Sequence, residues 1–215
     1  MLVTSRSYQE YAAMFDLSEL PGSVLDCCAG GSSFTAEAAA RGVDAVAVDP
    51  AYALPAAELL DTVRRSLPDS AQIVDEHASS FTWSWYGDPA RKDDLRIEAA
   101  DRFLQDVAVA PDRYVAGSLP MLPFEDGRFD LVLCSHLLFT WADQYGRDWH
   151  LAALRELIRV SRDEVRIFPL VQQGAGEPVD YLPELLDAVR PVRSEIRKVP
   201  YEFQVGADKM LVLKR

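Results

Sequence analysis

Two aspartates and a pair of glycines carry the first chemical signal in the chain. Asp26 stands in VLDCCAGGSSF, where an apolar run gives way to small residues and then to helix-forming ones. A strand that turns into a helix in this way leaves free N–H groups and a positive helix end facing one crevice. Gly30 and Gly31 let a ligand approach the backbone closely. Asp49 ends the next apolar run, VDAVAVD. It comes near the separation, roughly 20 residues, at which nucleoside sites put a ribose-binding acid. A carboxylate there can accept hydrogen bonds from both hydroxyls of a ribose. A pyrophosphate would want G-x-G-x-x-G and a bare helix end, and that fingerprint is absent. Asp26 would oppose a pyrophosphate but suits a ligand bearing an amino group and a sulfonium. The pattern leans toward a cationic nucleoside.

Positioning these acids requires alternating strands and helices. Ser5–Leu17 reads as an N-terminal helix, with Tyr8, Tyr11, Ala12 and Phe15 at helical spacing. SVLDCCA reads as a buried strand after the Pro21-Gly22 break, SSFTAEAAARG as a helix closed by Gly42, and VDAVAVD as the second strand. About sixty residues follow before the third strand, longer than an ordinary connection. They hold helices near Pro55–Ser66 and Asp93–Val107, the second carrying Ile97, Phe103, Leu104 and Val107, with the aromatic stretch SSFTWSWYGDP between them. RYVAG, FDLVLCS and VRIFPLV supply strands three to five, FDLVLCS apolar enough to be central. Helices follow near Trp149–Val160 and in VDYLPELLDAVR. The chain then ends in SEIRKVPYEF and DKMLVLKR, read as an antiparallel hairpin. The expected fold class is therefore α/β, with a mostly parallel seven-stranded sheet and a helical insertion at about 53–112. One domain is expected to span 1–215.

Composition removes several function classes. Acidic residues outnumber basic ones by 34 to 22, for a net charge of −12, with no basic cluster. Nucleic acid is therefore an unlikely partner, because its binding draws on phosphate neutralisation. No apolar run reaches the ~20 residues that span a bilayer, and the first residues hold no apolar signal core. A cytoplasmic protein, free of membrane contact, is expected. Cys27, Cys28 and Cys134 suit a reducing compartment. With no CxxC spacing and with His77, His136 and His150 scattered, no metal site is expected, and the cysteines read as small residues in tight places.

The segments VLDCCAGGSSF, VAVDP, VAGSLPMLPFEDGRFDLVLCSHLL and LRELIRVSR, in that order, resemble the class I S-adenosylmethionine-dependent methyltransferases. The resemblance runs from about Ser5 to the closing strands and implies a Rossmann-like three-layer sandwich that binds S-adenosylmethionine. It implies that Asp26, Ala29 and Gly30 contact the methionine part of the cofactor, with Cys28, Gly31 and Ser32 in the same turn. Asp49 would hold the ribose, Pro50 and Ala51 would flank the adenine, and Ser118 and Leu119 would lie at its edge. Ser135 and His136 would sit beneath the methionine, facing the substrate, and Tyr11 would cover the cofactor. Cys28 and Ser32 stand where the family commonly has glycine, and Ser118 stands where it usually has an acid.

Methyl transfer asks for alignment and exclusion of water more than for covalent help. A base is needed only for a protonated acceptor, and His136 is the candidate, set against a packing role. Trp83, Trp85 and Tyr86 in the insertion, and Phe139, Trp141 and Tyr145 after the fourth strand, are candidate walls of an acceptor pocket. The leading expectation is a methyltransferase acting on a small-molecule acceptor, as a monomer or homodimer. The alternatives are a cofactor-binding regulatory protein without turnover, and a protein or nucleic-acid methyltransferase.

Overall fold

A computed structural model describes residues 3–173 and 176–215. The N-terminal helix α1 (Tyr8–Met14) begins on Ser7, whose hydroxyl accepts from the Glu10 N–H while Glu10 accepts from the Ser7 N–H. This capping box satisfies two donors that would otherwise be orphaned. Next come β1 (Ser23–Cys27), α2 (Phe34–Ala40) and β2 (Asp44–Asp49). A 3-10 turn (Pro50–Ala53) leads into two long helices, α3 (Ala56–Glu76) and α4 (Pro89–Val109). The remaining elements are β3 (Tyr114–Ala116), β4 (Phe129–Ser135), α5 (Arg147–Val160), β5 (Ser161–Phe168), α6 (Leu182–Ala188), β6 (Arg193–Lys198) and β7 (Lys209–Lys214).

The strands form one sheet in the order β3-β2-β1-β4-β5-β7-β6. Pairing is parallel from β3 through β5, and β7 is antiparallel to both of its neighbours. This is the mostly parallel, seven-stranded Rossmann-like sheet that the sequence implies, with the last two strands antiparallel. The order reverses between β1 and β4, and a crevice opens beyond their C-terminal ends.

Successive strand residues serve opposite faces of the sheet. On one face Leu25, Cys27, Val132 and Cys134 pack with Leu154 and Leu157 of α5 and Leu185 of α6. On the other, Val24, Leu131 and Leu133 pack with Phe34, Phe15 and Tyr86. Because both faces are covered, β1 is buried along its whole length. A third cluster, including Leu59, Val63, Phe103 and Tyr114, ties α3 and α4 to the β2–β3 side.

Three expectations are altered. The helix expected to end near Ser66 continues through Pro68 to Glu76. Val74 in the added turns is buried, so tertiary packing outweighs the hydrogen bond that proline forgoes. In α4, Ile97 faces outward, 48% exposed, while Phe103 is wholly buried. The closing strands are not joined by a tight turn. β6 ends at Lys198, and residues 199–208 fold back over the insertion with Tyr201 and Phe203 buried.

Candidate functional site

A cavity of about 380 Å³ opens at the switch point. Its walls include Cys28, Ala29 and Gly30 from the turn after β1, Asp49 from the end of β2, and Ser135 and His136 from the end of β4. Tyr11, Arg6 and Thr4 come from the N-terminal segment, and Ser70, Ile73 and His77 from the C-terminal half of α3. Phe81, Thr140, Trp141, Gln173, Phe203 and Gln204 close the far end. Segments that are distant in sequence thus converge where the sheet changes direction.

Local hydrogen bonds hold the turn. Asp49 Oδ2 accepts from the Gly30 N–H at 3.0 Å and Oδ1 from the Ala51 N–H at 2.9 Å. Burial raises this carboxyl above its usual range, opposed by those two backbone donors. Tyr52 Oη donates to the Gly30 carbonyl at 2.7 Å. Both glycines face the protein's own N-terminal segment. A Cβ on Gly30 would come within 2.8 Å of the Thr4 carbonyl oxygen, and one on Gly31 within 2.7 Å of Ser5 Oγ. Gly31 N–H also donates to the Thr4 carbonyl, and Ser33 N–H to the Arg6 carbonyl. The close approach that glycine permits is therefore used at least partly by residues 4–6.

Asp26 is fully buried one layer behind the cavity wall. Its Oδ1 accepts from Tyr11 Oη at 2.9 Å, and its Oδ2 has no partner among the described residues. Burial pushes this carboxyl up to about 8, against the lowering effect of the Tyr11 hydrogen bond. Arg6 has the opposite problem. Its Nη1 is buried without a partner, and no carboxylate forms an ion pair with it among the described residues. Burial, then the nearby Arg96 guanidinium, hold Arg6 below its ordinary value. Both charges act on Tyr11, whose phenol is raised by burial and by Asp26 and lowered by Arg6. Near one end of the cavity, then, a carboxyl oxygen of Asp26 and a guanidinium nitrogen of Arg6 are both buried without partners, which is costly unless a ligand completes them.

His136 lines the cavity in a left-handed conformation, φ 52. Its Nδ1 is 3.2 Å from Arg6 Nε, a donor, and 2.8 Å from Ser135 Oγ. An arginine can only donate, so Nδ1 is the acceptor and the neutral ring carries its proton on Nε2. Burial, followed by Arg6 and Arg96, drives the imidazole well below its usual pKa. The group expected as a base is arranged as a neutral donor.

Other expected residues stand elsewhere. Gly31 and Ser32 are buried inside the turn, where Ser32 Oγ accepts from the Phe34 N–H. Pro50 and Ser118 are exposed, and Ala51 and Leu119 are buried in the apolar clusters. Of the six expected wall aromatics, Trp141 lines the cavity. Phe139 is buried and stacked on His150, and Tyr145 stacks on Trp149 at 4.0 Å between ring centroids. Trp83 and Trp85 pack against Phe203 and Tyr201 respectively. Tyr86 is fully buried, donating to Glu10 and bonded to Tyr201. Arg96 pairs with Glu10 at 2.9 Å in the same cluster. These aromatics anchor the insertion to the β6–β7 connection, while Phe81 and Phe203 face the cavity.

Arg6, Ile73, Gln173 and Gln204 line the site without having been singled out in the sequence, and His77, read there only as one of three scattered histidines, lines it as well. Arg6 had one local signal, its place directly before the Ser7–Glu10 capping box. The polar residues of the later loops had none.

The three cysteines also meet. Cys27 and Cys134 are register partners on β1 and β4, and Cys28 turns back toward them with φ 62. Their sulfurs all lie within 4.8 Å of one another, Cys27 and Cys28 at 3.7 Å. Hydrogen bonds from the other two thiols pull the Cys134 thiol below its usual value.

Residues 93–168, from α4 to the end of β5, match the family model described as a methyltransferase domain. An uncharacterized protein of Methanocaldococcus jannaschii is 27% identical over 221 aligned residues, covering all of this chain and 96% of that protein. Among solved structures, a TehB-like S-adenosylmethionine-dependent methyltransferase of Corynebacterium glutamicum superposes with a TM-score of 0.50 at 16% identity, covering 96% of this chain and 88% of that one. A protein of Pyrococcus horikoshii gives a TM-score of 0.50 at 14% identity, covering 96% and 90%. The fold is that of a Rossmann-like methyltransferase. Residues 93–168 are thus similar to a methyltransferase domain, and the likeness to the solved structures is one of fold. Among the described residues, no helix is long and apolar enough to cross a membrane.

Proposed function

We propose that the protein binds S-adenosylmethionine in the switch-point cavity and transfers its methyl group to a small-molecule acceptor. The observation that carries this reading is the pair of buried, unpartnered atoms on an acid and a base, Asp26 Oδ2 and Arg6 Nη1, near a wall that includes Asp49. An amino-acid end needs both signs, and a ribose suits the Asp49 carboxylate, whose oxygens keep lone pairs free after accepting from Gly30 and Ala51. These residues fit the cofactor.

When bound, the cofactor supplies a methyl group already activated on a sulfonium. Asp26 and Arg6 would orient the amino-acid end, Asp49 would hold the ribose, and the turn at Cys28–Gly30 would limit how far the ligand slides. His136 would offer its Nε2–H to an acceptor oxygen or nitrogen and keep it in line. The walls from α3, Trp141 and Phe203 would exclude water, which strengthens each of these interactions.

An acceptor of small size is supported by the limited cavity, about 380 Å³, and by the acidic chain. Incubation with methyl-labelled S-adenosylmethionine and a deproteinised metabolite extract tests this directly. Label in a low-mass product is the expected result. Label found only on added protein or nucleic acid would contradict it.

A further inference from the structure

Cys28 occupies a backbone conformation that costs a non-glycine residue roughly 1 kcal/mol or more, at a position where glycine would be free of strain. In a continuing strand, residue 28 would point to the face opposite Cys27. The left-handed turn instead brings its sulfur to 3.7 Å from that of Cys27. Parallel register independently puts Cys134 beside Cys27 on the same face. Two separate backbone features, a register and a turn, therefore gather three sulfurs within 4.8 Å.

We propose that Cys27, Cys28 and Cys134 form a three-thiolate site for one thiophilic d10 cation such as Zn²⁺, seated in the floor of the cavity. Thiolates at the usual metal–sulfur distance of about 2.3 Å stand about 3.8 Å apart around a tetrahedral centre and about 4.0 Å apart around a trigonal one. The observed trio needs to contract by at most about 1 Å at its widest. Soft thiolate ligands select such cations over hard ones. No fourth His, Cys, Asp or Glu ligand joins the group among the described residues. Cys28 lines the cavity, whereas Cys27 and Cys134 are buried behind it. The proposal is independent of methyl transfer.

The test uses the reduced full-length protein titrated with Cd²⁺, read by thiolate-to-cadmium absorption in the near ultraviolet, with Zn²⁺ as competitor. One equivalent saturating the band, displaced by Zn²⁺ and protecting the thiols from alkylation, is expected. Cys28→Gly removes one ligand and relieves the left-handed strain, so it folds. It should bind Cd²⁺ at least about 10-fold more weakly, as should Cys134→Ser. No band at one equivalent, or equal affinity in Cys28→Gly, would overturn the proposal. Should Cys134→Ser fail to fold, the Cys28→Gly comparison decides alone.

Discussion

Tyr11 Oη donates to Asp26 Oδ1 at 2.9 Å, and the other oxygen of that carboxylate is buried with nothing to accept from. The phenol satisfies one oxygen of this buried acid and leaves the other without a partner. A group that is unstable alone and satisfied on binding is a common property of sites that trade stability for function.

The first prediction concerns protons. With Asp26 pushed up to about 8, the free protein holds this carboxyl protonated at neutral pH. A cationic ammonium would draw the proton off. Titration calorimetry at pH 7 in buffers of different ionisation enthalpy should show close to one proton released per cofactor bound. Affinity should rise about 10-fold from pH 6 to pH 7.

The same carboxyl links pH to stability. An unfolded aspartate titrates near 3.8, so unfolding at neutral pH releases a proton that the folded state keeps. Its contribution is complete below about pH 4 and is lost as pH rises through about 8. Asp26→Asn should stabilise the free protein at pH 7.5 by on the order of 2 kcal/mol, about 4–8 °C in Tm. It should also weaken cofactor binding, so a thermal scan and a binding curve should move in opposite directions.

Arg6→Met should behave similarly. Removing a buried cation that lacks a counter-charge leaves Tm within about 3 °C of the wild type, because only the contact to His136 is lost. Cofactor affinity should fall about 10- to 100-fold, the worth of a charge-assisted hydrogen bond. A large Tm loss with unchanged affinity would make Arg6 structural.

Arg96 should give the opposite result. Burial lowers this guanidinium, but Glu10, Tyr86 and Tyr201 more than reverse that and raise it above its ordinary value. Arg96→Met would leave Glu10 charged and unpaired in the core. Breaking a buried pair from one side costs about 3–5 kcal/mol, a Tm drop on the order of 10 °C in thermal unfolding.

The sheet was legible in the sequence because each strand is an apolar run ended by small or charged residues, as in SVLDCCA and FDLVLCS. The turn at Cys28–Gly31 and the acid Asp49 were legible from their spacing. The opposite wall was not. Arg6, His77, Gln173 and Gln204 come from four segments whose meeting depends on how α3 and the β6–β7 connection pack. Trp83, Trp85 and Tyr86 show the reverse case: an aromatic-rich loop looks like a pocket wall whether its rings face a cavity or a core. Only the partners Tyr201 and Phe203 decide between them. The cysteine trio was hidden because Cys134 reaches Cys27 through strand register, which adjacency in sequence does not reveal.

Equilibrium titration of the full chain with S-adenosylmethionine and S-adenosylhomocysteine, alongside Asp49→Ala, tests the cofactor reading most directly. One site in the micromolar range is predicted, weakened about 10- to 100-fold when the Asp49 carboxylate is removed. No binding at millimolar ligand, or equal binding by Asp49→Ala, would contradict it.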